Sequence, residues 1–179
     1  MDFFISDLHF GHENIIKFDI RPFNNVENMN NIMINNWNKV VTNTDTVYIL
    51  GDMFCSINSA NAIEILVQLK GYKVLIMGNH DKIFNKEFAN HFIEISDYKE
   101  IQCKEKHVVL CHYPIPCFNN HFLNNWYHFY GHVHQILNQT NVRGKNRKAV
   151  VDEVAATVIL ESYLNYRRKN KPSIWKSAN

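Results

Sequence analysis

The chain has 179 residues, enough to bury a hydrophobic core as one domain without staples. It is 46% hydrophobic and 20% charged, the balance of a soluble globular protein, and 19 Lys and Arg against 17 Asp and Glu leave a formal net charge of +2. So even a balance excludes a nucleic acid or a membrane surface as a partner selected by bulk electrostatics. Cys55, Cys103, Cys111 and Cys117 form no CxxC pair, which points to free thiols in a reducing cytoplasm. Met1-Asp2-Phe3-Phe4-Ile5 has neither the basic nor the long apolar region of a signal peptide, and no apolar run approaches the roughly 20 residues of a membrane span. The expectation is a cytoplasmic protein with no membrane partner.

In chain order, Phe3-Phe4-Ile5-Ser6 predicts a buried strand. If strand geometry continued through Leu8, Asp7 and His9 would share one side, because side chains alternate with period two. Val26 to Val41 carries a helical stripe of Val26, Met29, Met33, Trp37, Val40 and Val41, all core formers. Thr46 to Leu50 is the next strand and breaks at Gly51-Asp52. Ser59 is placed to N-cap a helix carrying Ile63, Leu66, Val67 and Leu69, closed by Gly71. Lys73 to Met77 then predicts a strand that breaks at Gly78-Asn79-His80-Asp81. The succession of strand, helix, strand, helix, strand marks an α/β layered fold.

From Phe92 the pattern changes. Phe92 to Cys103 and His107 to Cys111 predict two strands around a Lys104-Glu105-Lys106 turn, with too little chain between them for a crossover, which favours antiparallel pairing. The second ends at His112-Tyr113-Pro114. The aromatic run Trp126 to Tyr130 ends at Gly131-His132-Val133-His134, and Asp152 to Arg168 has helical spacing. No repeat or linker divides the chain, so residues 1–179 are expected to form a single domain.

Five strand ends thus carry Asp7 and His9, Asp52, Asn79 and His80, His112, and His132 and His134. Any one of them alone has a bland reading as a polar turn. Together they bring carboxylates, an amide oxygen and imidazoles to one rim of a sheet, where ligands of α/β proteins bind. Oxygen and nitrogen donors without thiolate suit Mn, Fe, Zn or Ni. The set exceeds what one tetrahedral ion takes, so two divalent ions about 3.5–4 Å apart, sharing a carboxylate, are expected.

These ordered motifs resemble the calcineurin-like metallophosphoesterase superfamily, over roughly the first three quarters of the chain. Asp7-Leu8-His9-Phe10-Gly11-His12, with Asn14-Ile15-Ile16, is similar to its short bacterial and phage branch. The resemblance implies an α/β (α+β) fold, a four-layer αββα sandwich of mixed sheets with helices on the outer faces. It implies Asp7, His9 and His134 on one ion, Asn79, His112 and His132 on a second, and Asp52 bridging them. A bridging water would become the attacking hydroxide on a phosphate ester, with His80, not itself a ligand, protonating the leaving oxygen.

Two departures narrow this expectation. The phosphoprotein-phosphatase branch carries Gly-Asp-x-x-Asp-Arg-Gly, where this chain has Gly51-Asp52-Met53-Phe54-Cys55-Ser56. The carboxylate that would orient the catalytic imidazole and the phosphate-gripping Arg are both absent, so phosphoprotein phosphatase activity is not expected. Asp81 or a backbone carbonyl is left to orient His80. The closing strand expected after Asn141 is also hard to find in Arg143 to Lys148.

Around the motifs, His12 either touches substrate or packs beside the site, and Arg21 either grips the phosphate bidentately or makes a surface salt bridge. Cys55 and Cys117 follow ligand loops, where packing is the simpler role. His91, His107, His121 and His128 are assigned to surface or core. The leading function is hydrolysis of a small phosphomonoester or phosphodiester. A non-catalytic scaffold of the same fold, and a nuclease using the Trp126 to Tyr130 aromatics and the basic Arg143 to Lys148 loop, are the rivals.

Overall fold

A computed structural model describes residues 1–133. Seven strands and four helices follow in the order β1 (Asp2–Ile5), α1 (Glu13–Phe18), α2 (Val26–Val40), β2 (Thr46–Leu50), α3 (Ser59–Gln68), β3 (Tyr72–Ile76), α4 (Lys86–Ala89), β4 (Glu94–Ser96), β5 (Tyr98–Cys103), β6 (Lys106–Cys111) and β7 (Trp126–Phe129). β1 to β4 form one all-parallel sheet in sequence order, and β5-β6-β7 form a second, mixed one. The expected mixed α/β class is therefore present.

Side-chain alternation decides what each face of the first sheet covers. Phe3, Ile5, Val47, Ile49 and Leu75 face a helix-side core with Ile34 and Trp37 of α2 and Ala62, Ile65 and Leu66 of α3. Their neighbours Phe4, Tyr48, Leu50, Val74 and Ile76 turn the other way, onto Val108 and Leu110 of β6 and Phe129 of β7. A sheet buried on both faces is read as a near-continuous apolar run, as Tyr72–Ile76 shows with four buried positions in succession. The described residues thus supply a helical layer and two sheets. The helix expected over 152–168 and the basic loop at 143–148 lie outside them.

Two expectations shift locally. The run Phe92 to Cys103 is two strands: β4 joins the first sheet beside β3, and β5 joins the second beside β6, with the break at Asp97. An extended segment passing from one sheet to the other keeps strand-like composition throughout, so periodicity alone sees one element. The β5–β6 hairpin is antiparallel as expected, with Cys103 opposite Lys106 and Lys104 at φ 57°. Asn58, not Ser59, caps α3, accepting from the Asn61 backbone N–H at 2.9 Å. All four cysteines are free, and no helix among the described residues is long and apolar enough to cross a membrane.

The inter-sheet core sets a measurable scale. Leu110 is fully buried between the sheets, so Leu110→Ala should lower the unfolding free energy by about 2–5 kcal/mol in urea denaturation. Val67→Ala, on the 63% exposed face of α3, should stay within about 0.5 kcal/mol of the parent. Equal effects of the two substitutions would contradict the sandwich packing.

Candidate metal centre

The parallel strands β1, β2 and β3, together with β6 and β7, point their carboxyl ends at one rim. There Asp7 and His9 follow β1, Asp52 follows β2, Asn79 and His80 follow β3, His112 follows β6, and His132 follows β7. The first two loops stay zipped together beyond the strands: Asp7 N–H donates to Gly51 O at 3.0 Å and His9 N–H to Asp52 O at 2.9 Å. Asp7, His9 and Asp52 sit at φ 54° and His132 at φ 69°. This left-handed backbone is sparsely populated by non-glycine residues and characteristic of functional sites. It also revises the sequence expectation that Asp7 and His9 face one side because a strand runs through Leu8. The strand ends at Ile5, and the two side chains are presented by a bent loop.

Asp52 is the hub. It is 2% exposed, and its Oδ1 accepts the His80 backbone N–H at 2.9 Å. Its Oδ2 lies 3.6 Å from His112 Nε2, 3.7 Å from His9 Nε2 and 4.0 Å from His80 Nε2. Close backbone approach makes this convergence feasible. A Cβ on Gly51, itself at φ +87°, would strike the His112 ring, and one on Gly78 would strike the Asp52 carboxylate. Asn79 Oδ1 lies 2.9 Å from His132 Nδ1 and 3.0 Å from His112 Nε2.

The chemistry of this donor set fits a cation. His112 Nδ1 lies 2.9 Å from Leu50 O in the interior. A carbonyl oxygen only accepts, so Nδ1 carries a proton, and in the neutral tautomer this leaves Nε2 with a lone pair toward the centre. That lone pair faces an amide oxygen and a carboxylate oxygen, three acceptors converging on one volume. Asp52, His112 and His132 offer ligand atoms within 4.8 Å of one another, and so do Asp7, His9 and Asp52. The two groups share Asp52. His134, expected on the Asp7 side, lies outside the described residues.

Two charged side chains hold the strained loops in place, through backbone contacts that the sequence did not suggest. Asp81 was the candidate to orient His80. Instead its Oδ2 accepts the backbone N–H groups of Asp52 at 2.7 Å and Gly78 at 2.9 Å, and its Oδ1 those of Met53 at 2.8 Å and Phe54 at 3.3 Å. Burial pushes its carboxyl up from the ordinary value, opposed by these N–H donors. Arg21, considered as a phosphate grip, donates to Asp7 O at 2.8 Å and Leu8 O at 2.9 Å and pairs with Asp19 at 3.3 Å. Its guanidinium is a brace behind the first ligand loop. No local pattern announces either role, because each is defined by loops that meet only in the fold.

His12 lies beside the site, its ring 5.4 Å from that of His9 and 6.1 Å from that of His80. Burial, then the neighbouring His80 and Arg21 charges, push its imidazole below the usual value. Cys55, assigned to packing by sequence, comes within 3.6 Å of His80 Nδ1. It also forms a third close group with His9 and His12. His128 is structural, as expected: Nδ1 lies 3.1 Å from Val109 O, and Nε2 accepts the Ile115 N–H at 3.0 Å.

Residues 3–152 match the family model of the calcineurin-like phosphoesterase superfamily domain. The chain belongs to this superfamily. Among similar proteins, an uncharacterized protein of Methanocaldococcus jannaschii is 44% identical over 133 residues, covering 74% of this chain and 68% of the relative. The gene 66 protein of Mycobacterium phage L5 is 37% identical over 81 residues, 44% of this chain and 38% of its own length. A solved structure, a protein of unknown function from Aquifex aeolicus, is 40% identical with a TM-score of 0.54, and the match spans 68% of this chain and 66% of that one. In keeping with this superfamily, the chain carries His and Asp groups that could hold a metal ion.

The Asp81 clamp makes a direct prediction. In Asp81→Asn one side-chain oxygen is replaced by a donor that faces two backbone N–H groups. Unfolding free energy should fall by about 1–3 kcal/mol, and divalent-ion affinity should weaken although no ligand side chain is removed. Urea denaturation paired with calorimetric Mn2+ titration checks both, and unchanged values would show that the clamp holds nothing.

Proposed function

We propose that this chain hydrolyses a small phosphomonoester or phosphodiester with two divalent ions. One would be held by Asp7, His9 and His134, the other by Asn79, His112 and His132, with Asp52 between them. The observation that supports this best is the single buried oxygen, Asp52 Oδ2, faced at 3.6, 3.7 and 4.0 Å by imidazoles from three separate loops. Divalent ions there, Mn, Fe, Zn or Ni, would supply positive charge against a phosphoryl group and Lewis acidity.

The residues divide the remaining work. His80 is 41% exposed at its side chain, and its Nε2 edge faces the Asp52 centre. It can therefore meet an incoming ester and give a proton to the departing oxygen. His12 beside it is placed near enough to contact the substrate. Arg21 acts behind the site, fixing the backbone that presents Asp7 and His9.

The rival readings have less support. A scaffold that had lost catalysis would not need an exposed imidazole beside the proposed ligand set. A nuclease platform needs exposed aromatics, whereas Trp126 stacks on His107 at 4.6 Å and Phe129 packs into the inter-sheet core. A small phosphate ester is thus the substrate class we propose, ahead of a nucleic acid.

Metal-reconstituted protein assayed on bis-p-nitrophenyl phosphate, p-nitrophenyl phosphate and linear and cyclic nucleotides should turn over at least one of them, and chelation should abolish it. No turnover of any ester would favour the scaffold. Asp52→Asn should lower metal affinity as well as turnover, because the carboxylate serves both positions. Full metal content with merely slower chemistry would remove Asp52 from that role.

His80→Ala should keep both ions and lose about 10²–10⁴-fold in turnover of alkyl and nucleoside esters. The loss should be smaller for p-nitrophenyl esters, whose leaving group departs without a proton. A lost ion would make His80 a ligand. Equal losses on both ester types would make it a phosphate-positioning group.

A further inference from the structure

An imidazole that delivers a proton through one nitrogen must be held by the other, or it samples both ring orientations and both tautomers. His80 turns Nε2 toward Asp52 Oδ2 at 4.0 Å, which leaves Nδ1 to be anchored. Asp81 is next in the chain, but both its oxygens are taken up by four backbone N–H groups. What stands at Nδ1 is Cys55 Sγ, at 3.6 Å. Hydrogen bonds to sulfur are longer than those to oxygen because the sulfur atom is larger.

We propose that Cys55 is the positioning residue of His80, its sulfur accepting the Nδ1–H so that Nε2 faces the metal centre.

The Ser56 neighbour allows the sulfur to be the acceptor. Ser56 Oγ also lies 3.6 Å from the sulfur and can accept the thiol proton, leaving a sulfur lone pair for Nδ1–H. The sulfur is not loosely held. Cys55 N–H donates to Phe10 O at 3.0 Å, and Phe10 pairs with Phe54 in a bridge between the first two ligand loops. The thiol is therefore carried by the same zipped backbone that presents His9 and Asp52. This role absorbs the one residue of the Asp52 loop that packing left unexplained.

The catalytic consequence rests on the proposed phosphoesterase reading, whereas the Cys55–His80 hydrogen bond does not, and two readouts separate them. The first uses the metal-free full-length chain at a pH where imidazoles are neutral. Long-range nitrogen–proton NMR, with His80 assigned through His80→Gln, should find the proton on Nδ1. In Cys55→Ala it should move to Nε2, and Cys55→Asp should return it to Nδ1, because a carboxylate is the stronger acceptor.

The second readout is turnover of an alkyl phosphate ester by the metal-loaded protein. Cys55→Ala should lower kcat by about tenfold, the equivalent of one hydrogen bond, with KM and metal content unchanged and a smaller loss for a p-nitrophenyl ester. Cys55→Asp should recover it. If the tautomer responds but the wild-type protein cleaves no ester, the phosphoesterase reading fails and the Cys55 pairing stands. A His80 tautomer that is the same in Cys55→Ala as in the parent overturns the proposal, whether or not the protein is active.

Discussion

The centre depends on bent loop backbone held against its own preference. Asp7, His9, Asp52 and His132 all adopt left-handed φ values, each a cost of order 1 kcal/mol or more for a residue with a side chain. Such a backbone persists only where the surroundings over-determine it. Here the Asp81 carboxylate gathers four N–H groups from the loops after β2 and β3, and the Arg21 guanidinium gathers two carbonyls from the loop after β1. The anchors are opposite in charge and complementary in chemistry. One collects donors and the other acceptors, so between them they satisfy the polar groups that the bends expose.

That anchoring explains why the side chains can converge as they do. Asp52 cannot swing away, because the His80 backbone N–H holds its Oδ1 at 2.9 Å while Oδ2 faces three imidazoles. His112 cannot flip, because Leu50 O holds its Nδ1 at 2.9 Å. His132 is tied through its backbone to both oxygens of Asp7, at 3.1 and 3.2 Å. Each donor is thus fixed by a second bond that plays no part in coordination, the arrangement by which outer-shell contacts orient the ligands of a metal.

The two-sheet architecture supplies the rim itself. β6 and β7 are parallel to each other, and their residues Val108, Leu110 and Phe129 pack against Phe4, Tyr48, Leu50, Val74 and Ile76 of the first sheet. Because the sheets pack face to face with these strands ending together, His112 and His132 arrive opposite Asp52 and Asn79 across the top of the inter-sheet core. Loss of register in either sheet would separate donors that are 33 to 125 residues apart in sequence.

The sequence by itself determined most of the strands, the polar residues that stand at their ends, and the family to which those residues point. Strand ends are marked locally, by an apolar run breaking at Gly or Asp, and ligand chemistry is written in residue type. The alternation of Val47, Ile49 and Tyr48, Leu50 likewise encoded a sheet covered on both faces. Only the tertiary structure decided which partner each of these polar residues meets. Asp81 sits beside His80 in sequence yet serves the loop backbones, and Arg21 adds carbonyl oxygens of the first loop to its salt bridge with Asp19. Cys55, which stands where the phosphoprotein-phosphatase motif has its second Asp, meets His80 Nδ1. The split of Phe92 to Cys103 between two sheets is of the same kind. The physical reason is common to all: hydrogen-bond partners and sheet membership are set by what the folded chain brings within about 3 Å, and that distance has no counterpart in sequence spacing.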